Sequence, residues 1–297
     1  MVTFPTRRRS HPRTTLFPRI QRIISPALLV QLVEGVLFCV AAGLWGADYV
    51  WHAGANGNWN TQANWRLNPS DGTDGDDGFP DDNTDTATID TGFTVSNLGA
   101  NLTIGELTIN NAGATLTLDQ NLTVDDTNVT GNVTVANGTL DNSAGTESIA
   151  IDGTLTLGDG TNVPTIASTL AISVVGTTTR DINSANNLTS LTDAANDFSA
   201  VTITSGNNIT IVDDNSISLG SGAASTVSGT LDVTADSIDV VGSVTANSID
   251  FDASGAVGAI TDTGGDLAVT TTSTLAAQGG DAITLDAAAN DLDRKST

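Results

Sequence analysis

The chain has 297 residues, with 34 acidic and 10 basic side chains, a formal net charge of −24, 39% apolar residues and only 4% aromatic ones. A surface of that sign repels phosphate backbones and anionic lipids, which argues against nucleic-acid binding and peripheral membrane docking. One cysteine, Cys39, leaves no disulfide framework and no thiolate zinc site.

Charge is divided sharply along the chain. Residues 1–47 carry Arg7, Arg8, Arg9, Arg13, Arg19 and Arg22 against one acid, Glu34, and run into an apolar stretch from Ile23 to Ala47. A basic leader followed by an apolar run reads as a secretory signal peptide over 1–47, cut between residues 42 and 47. Gln31 and Glu34 interrupt the stretch, which disfavours its retention as a membrane anchor. Beyond it 33 acids face four bases, and 31 of the 34 acids in the whole chain are Asp, a residue of turns and caps.

All four Trp (Trp45, Trp51, Trp59, Trp65) fall within 21 residues. Trp51, Trp59 and Trp65 belong to a segment with the pattern W-x-x-G-x-x-G-x-W-x-x-x-x-N-W, followed by Phe79-Pro80 and by Asp85-Thr86-Ala87-Thr88-Ile89. Large aromatics clustered at the entrance of a domain suit the capping of an exposed apolar end. They are also the candidates for carbohydrate binding, by stacking on sugar rings. Between them and the body lies an Asp-rich loop, in which Asp71, Asp74, Asp76 and Asp77, with Asp81 and Asp82, offer the oxygens that a calcium ion wants, although no EF-hand register is met. The Trp-rich segment, over roughly residues 51–90, resembles the opening of bacterial secreted β-helical proteins of the autotransporter and adhesin type. That resemblance implies a passenger solenoid whose first rung the Trp residues cover.

From residue 91 short runs of two apolar residues flanking a Thr recur: Leu102-Thr103-Ile104, Leu107-Thr108-Ile109, Leu122-Thr123-Val124, Val133-Thr134-Val135, Leu155-Thr156-Leu157. Each is the period-2 signal of a half-buried strand. Asn101-Leu102-Thr103-Ile104 returns twenty residues later as Asn121-Leu122-Thr123-Val124, a period that suits one turn of a parallel β-helix. The fold expected is therefore all-β, a right-handed parallel β-helix with a Trp-rich N-terminal cap. Its parts are the signal peptide at 1–47, the cap and Asp-rich loop at 48–90, β-helix rungs at 91–185 and a repeat region at 186–297.

Within that last region Ala194-Ala195-Asn196-Asp197-Phe198 recurs as Ala288-Ala289-Asn290-Asp291-Leu292, the second copy being cut short near the chain end. Residues 185–292 resemble the long repeats of filamentous-haemagglutinin-like adhesins, which implies an extended filament used in attachment or biofilm. Seven N-x-T sequons, at Asn101, Asn121, Asn128, Asn132, Asn137, Asn187 and Asn208, follow from the abundance of turn Asn and strand Thr. They carry no expectation of glycosylation. Gly264-Gly265-Asp266 and Gly279-Gly280-Asp281 read as turns, since they do not recur at nine-residue spacing.

His52 is the only histidine after the leader, and no Ser-His-Asp set, H-E-x-x-H motif or phosphate-binding glycine pattern is present. The enzymatic alternative is a β-helical polysaccharide lyase or hydrolase using Asp125-Asp126 or Asp213-Asp214. Arg180 is the only base between residues 67 and 293, too few to hold an acidic sugar, and each Asp pair reads as a solvated turn. No catalytic residue is assigned. The expected role is that of a secreted or cell-surface adhesin of a bacterium, associated with the outer membrane. It would be the N-terminal part of a larger filament and bind a host or neighbouring cell surface, or a polysaccharide, through many polar contacts. No cofactor is required beyond calcium as an option, no nucleic acid or small-molecule cofactor is a partner, and an outer-membrane anchor or transporter is expected outside the chain.

Overall fold

The computed structural model describes residues 46–68, 78–126, 131–143, 145–183, 185–256, 258–278 and 282–292. The leader expected to act as a signal peptide lies outside them.

Among the described residues there is no α-helix; the regular structure is strands of 2 to 13 residues and one 3-10 turn at Gln62–Asn64. Each turn of the chain lays down three strands, for example 107–109, 115–118 and 122–124, before residue 133 returns beside residue 107. The result is the expected β-solenoid. Every strand pairing among the described residues is parallel except one, between Asp48–Trp51 and Trp65–Leu67. From Thr86 onward, partners in successive turns lie 18 to 27 residues apart. The period of twenty read from Asn101 and Asn121 lies within the range of a variable turn.

Parallel register places each residue beside its counterpart one turn away, so the alternation within a strand becomes rows along the stack. Ile89, Ile109, Val135, Leu157, Arg180 and Ile203 form one inward row, and Ala87, Leu107, Val133, Leu155, Thr178 and Val201 the next. On a second face Ile104, Val124, Ile151, Val174 and Phe198 align in the same way. In the C-terminal half Ile211, Val233, Phe251 and Leu275 do so. These rows make one continuous aliphatic core in which nearly every member is fully buried. No turn could bury its apolar residues without its neighbours, which is why the fold is specified by repetition.

The strands are already in the ladder before the segment read as rungs begins, because Asp48–Trp51 pairs in parallel with Thr86–Ile89, and that strand with residues 106–109. Trp65–Leu67 then lies antiparallel on the outer side of Asp48–Trp51 and closes the N-terminal edge of the sheet. The opposite end is more open. Ile283 in the last described turn is 44% exposed, and Leu275, Leu285 and Leu292 are only partly buried.

Corners between strands bring backbones close together. The Gly153 N–H donates to the Gly131 carbonyl at 2.8 Å, and the Gly176 N–H to the Gly153 carbonyl at 3.0 Å. A Cβ on Gly153 would stand 2.3 Å from the Gly131 oxygen, and one on Gly176 would stand 2.4 Å from the Gly153 oxygen. Replacing Gly153 by Ala should therefore cost about 1–3 kcal/mol through forced backbone shifts, whereas Gly54→Ala, where a Cβ meets nothing within 4 Å, should be neutral. Urea denaturation of the two variants checks this, and equal stabilities would show that the corner is not closely packed.

Candidate functional site

The N-terminal tryptophans are built into the core. Trp51, Trp59 and Trp65 are 1%, 0% and 0% exposed. Trp51 and Trp65 meet edge to face at 5.1 Å and 89°, and Trp59 meets Trp65 at 4.7 Å and 66°. The Trp59 Nε1–H donates to the Pro80 carbonyl at 2.9 Å, and the Trp65 Nε1–H to the Trp59 carbonyl at 2.7 Å. This corrects the sugar-stacking expectation. A ring face must be open for a sugar to lie on it, and these three indoles spend their faces on each other and on the first turn.

The calcium candidates Asp71, Asp74, Asp76 and Asp77 lie outside the described residues. At the loop's return, Asp85 is buried and its carboxylate accepts the N–H groups of Ala47, Asp81 and Asp82. Asp82 Oδ1 accepts the Thr84 N–H and hydroxyl at 3.1 Å. These carboxylates fasten the loop to the first strand. Among the described residues no group of three or more His, Cys, Asp or Glu is arranged to hold a metal ion.

The two Asp pairs differ in their surroundings. Asp213 and Asp214 are neighbours, with Asp213 buried at 5% exposure and Asp214 exposed. Asp213 is not the solvated turn that the sequence suggested. Its Oδ2 accepts the Phe198 N–H at 2.5 Å and its Oδ1 the Asn215 N–H at 2.9 Å, so it ties two turns together. Asp125 likewise sits at a corner, its N–H donating to the Ile104 carbonyl. His52 is exposed beside the cap, its backbone N–H donating to the Asn64 carbonyl.

Five of the sequon asparagines have a structural role that composition alone did not reveal, and Asn128 lies outside the described residues. Asn101 Oδ1 accepts the Asn121 N–H, and Asn121 Oδ1 accepts the Ser148 N–H, one turn further on each time. Asn132 Oδ1 accepts both the N–H and the hydroxyl of Thr154 at 2.9 Å. Asn187 Oδ1 accepts the Asn208 N–H, and Asn208 Oδ1 accepts the Thr230 N–H. In the pattern Asn-apolar-Thr-apolar the Asn is a staple between turns, satisfying a corner N–H that the ladder leaves free.

The repeated Ala-Ala-Asn-Asp signature works in the same way. Asn196 Oδ1 accepts the Ile172 N–H at 2.9 Å, and Asn290 Oδ1 accepts the Leu267 N–H at 2.8 Å. Both Asn close a short turn, Asn196 N–H donating to the Asp193 carbonyl and Asn290 N–H to that of Ala287. The Asn196 Nδ2 reaches the Val212 carbonyl, whereas the Asn290 Nδ2 donates to the Asp262 carboxylate.

On the outside, register creates rows of hydroxyls. Thr88, Thr108, Thr134, Thr156 and Thr179 are successive half-buried partners on one face, and the row ends at Thr202, which is buried with its hydroxyl donating to the Ser221 carbonyl. Thr94, Thr115, Thr139 and Thr165 are partners on another. Neighbouring hydroxyls along such a row are separated by the strand spacing of about 4.8 Å. Acids also come into register. Asp232 pairs with Asp250, and burial, then the charge of Asp250, push the Asp232 carboxyl up. Burial, then Asp48 and Asp126, do the same to Glu106.

Residues 236–297 match the model of a family described as repeats of unknown function (DUF5649). No curated protein and no solved structure matches the chain. The matched stretch contains the strands from Ser237–Val240 to Asp291–Leu292 and the second copy of the Ala-Ala-Asn-Asp signature. The protein is a repeat-containing β-solenoid.

Burial pushes the Asp213 carboxyl up from 3.8 to about 6, against the two N–H groups that favour its ionised form and with help from Asp197 and Asp214. The folded state thus holds a proton that the unfolded chain has released between about pH 4 and pH 6, and this group's contribution to stability falls as pH rises through that window. Comparing wild type with Asp213→Asn by urea unfolding from pH 4 to 8, the difference should move against the wild type up to about pH 6 and stay flat above about pH 7. A difference constant across the range would mean that Asp213 titrates normally.

Proposed function

We propose that the protein is an exported structural adhesin, which attaches at or outside the bacterial surface to an extended polyhydroxyl partner such as a cell-surface polysaccharide. The observation that carries this reading is the in-register Thr row from Thr88 to Thr179, an outward line of hydroxyls at the pitch of the stack. A rigid row of equal donors and acceptors suits a repeating ligand, for which each contact is weak and strength comes from number. Calcium would bridge the acidic skin to its partner, and the basic, apolar leader would direct export. Likeness to autotransporter and filamentous-haemagglutinin-like proteins supports the same role, as does a solenoid made of repeats.

Arg180, the one base that the lyase reading had for gripping an acidic sugar, points into the core and is 0% exposed. The outer surface therefore lacks it.

The experiment is co-sedimentation of the purified protein with insoluble neutral polysaccharides and with whole bacterial cells, with and without calcium. Thr108→Val, Thr134→Val and Thr156→Val together remove three adjacent hydroxyls while keeping shape and β-propensity. The triple variant should melt like the wild type and lose at least about tenfold in retention, the scale expected of an avidity effect. Undiminished retention would overturn the role of the row, and release of reducing or unsaturated sugar ends would replace the adhesin reading with an enzymatic one.

A further inference from the structure

Two polar residues interrupt the inward rows that start at Ile89 and Ala87, and they are adjacent on one side of one strand. Within Ala171–Asp181, Thr178 and Arg180 are two residues apart, so both project inward, and both are 0% exposed. Thr178 is flanked in its row by Leu155 and Val201, and Arg180 by Leu157 and Ile203. The Arg180 Nε, Nη1 and Nη2 and the Thr178 Oγ1 all lack a hydrogen-bond partner.

A guanidinium has five N–H donors and no acceptor. Leaving it bare in an aliphatic interior costs several kcal/mol. Deprotonation does not relieve this at neutral pH, since burial lowers the Arg180 pKa only to about 9. The buried carboxylate of Asp213 does not relieve it either: its oxygens accept from the Phe198 and Asn215 N–H groups, and no Arg180 nitrogen reaches them or any other acceptor. What remains is an acceptor carrying negative charge.

We propose that Arg180 and Thr178 form an internal anion site, which takes a small, weakly hydrated monovalent anion of the halide class and holds it between successive turns. The guanidinium supplies charge and several N–H donors, and the Thr178 hydroxyl supplies one more from the same side. The aliphatic flanks select against strongly hydrated or multivalent ions, whose desolvation they cannot repay. Enclosed on all sides, the anion enters as the turns close during folding and stabilises the folded chain by mass action.

The test is thermal melting of the whole chain at constant ionic strength, with sodium gluconate replaced stepwise by sodium chloride or bromide. The wild type should gain several degrees in Tm, saturating with halide concentration. Arg180→Met, which fits an aliphatic row, should lose the halide-dependent gain, and Thr178→Val should require more halide for the same gain. Crystals grown in bromide should show an anomalous peak within hydrogen-bond distance of the Arg180 guanidinium, a reading that does not depend on either variant folding. A wild-type Tm indifferent to the anion, a halide gain retained in Arg180→Met, or no bromide beside Arg180 would each overturn the proposal. None of these outcomes bears on sugar or cell binding, so the site stands or falls apart from the adhesive role.

Discussion

Parallel in-register stacking is the constraint from which the rest of the molecule follows. When each turn of chain is laid on the one before with matched residues side by side, a choice made in one turn is copied to the next. An apolar residue at an inward position must be met by another, as Ile109 is by Ile89 and Val135. A close corner demands the same of glycine, as at Gly131, Gly153 and Gly176. Asparagine staples extend from Asn101 to Asn121 and on to Ser148 because the free N–H they satisfy reappears at every turn. The aliphatic rows, the glycine stacks, the Asn staples and the Thr rows are one rule expressed at four places around the turn.

Stacking also creates the problem that the N-terminal segment solves. A ladder has two ends, each with unpaired strand edges and uncovered apolar side chains. At the N-terminal end the direction of the chain is reversed once, so that Trp65–Leu67 runs antiparallel to Asp48–Trp51. Three indoles fill the space over the first turn, two of them with their N–H groups anchored on backbone carbonyls. Asp85 pins the returning loop to Ala47. This is the only antiparallel pairing among the described strands, and it occurs where further parallel growth must stop.

Much of the architecture was legible because the rule is written in the sequence twice. The Leu-Thr-Ile and Val-Thr-Val runs show the inward and outward sides of each strand, and the return of Asn-Leu-Thr-Ile as Asn-Leu-Thr-Val shows the turn length. The asparagines were visible but misread. As members of N-x-T triplets they looked like a by-product of composition, whereas their position one residue before a strand is what lets them bond to the next turn. The buried state of Asp213 was hidden for a different reason. Adjacent acids read as solvent-facing, and nothing local shows that the Phe198 N–H from another turn lies within reach of one of them. The tryptophans gave the cap correctly, but a cluster of Trp looks the same in sequence whether its faces are spent inward or offered outward.

Arg180 and Thr178 show where the rule of like upon like ends. Their partners on either side, Leu155, Leu157, Val201 and Ile203, obey it, so the polar pair is confined to a single turn and does not propagate. An interior of identical aliphatic rows has a weakness, since slipping by a whole turn replaces every contact with a similar one. A charge that can be satisfied in only one layer removes that degeneracy, in the way that a single buried polar residue fixes the register of a coiled coil. The outer rows of Thr take their pitch from the strand spacing, but which Thr stands beside which is a matter of the alignment that such a layer would single out.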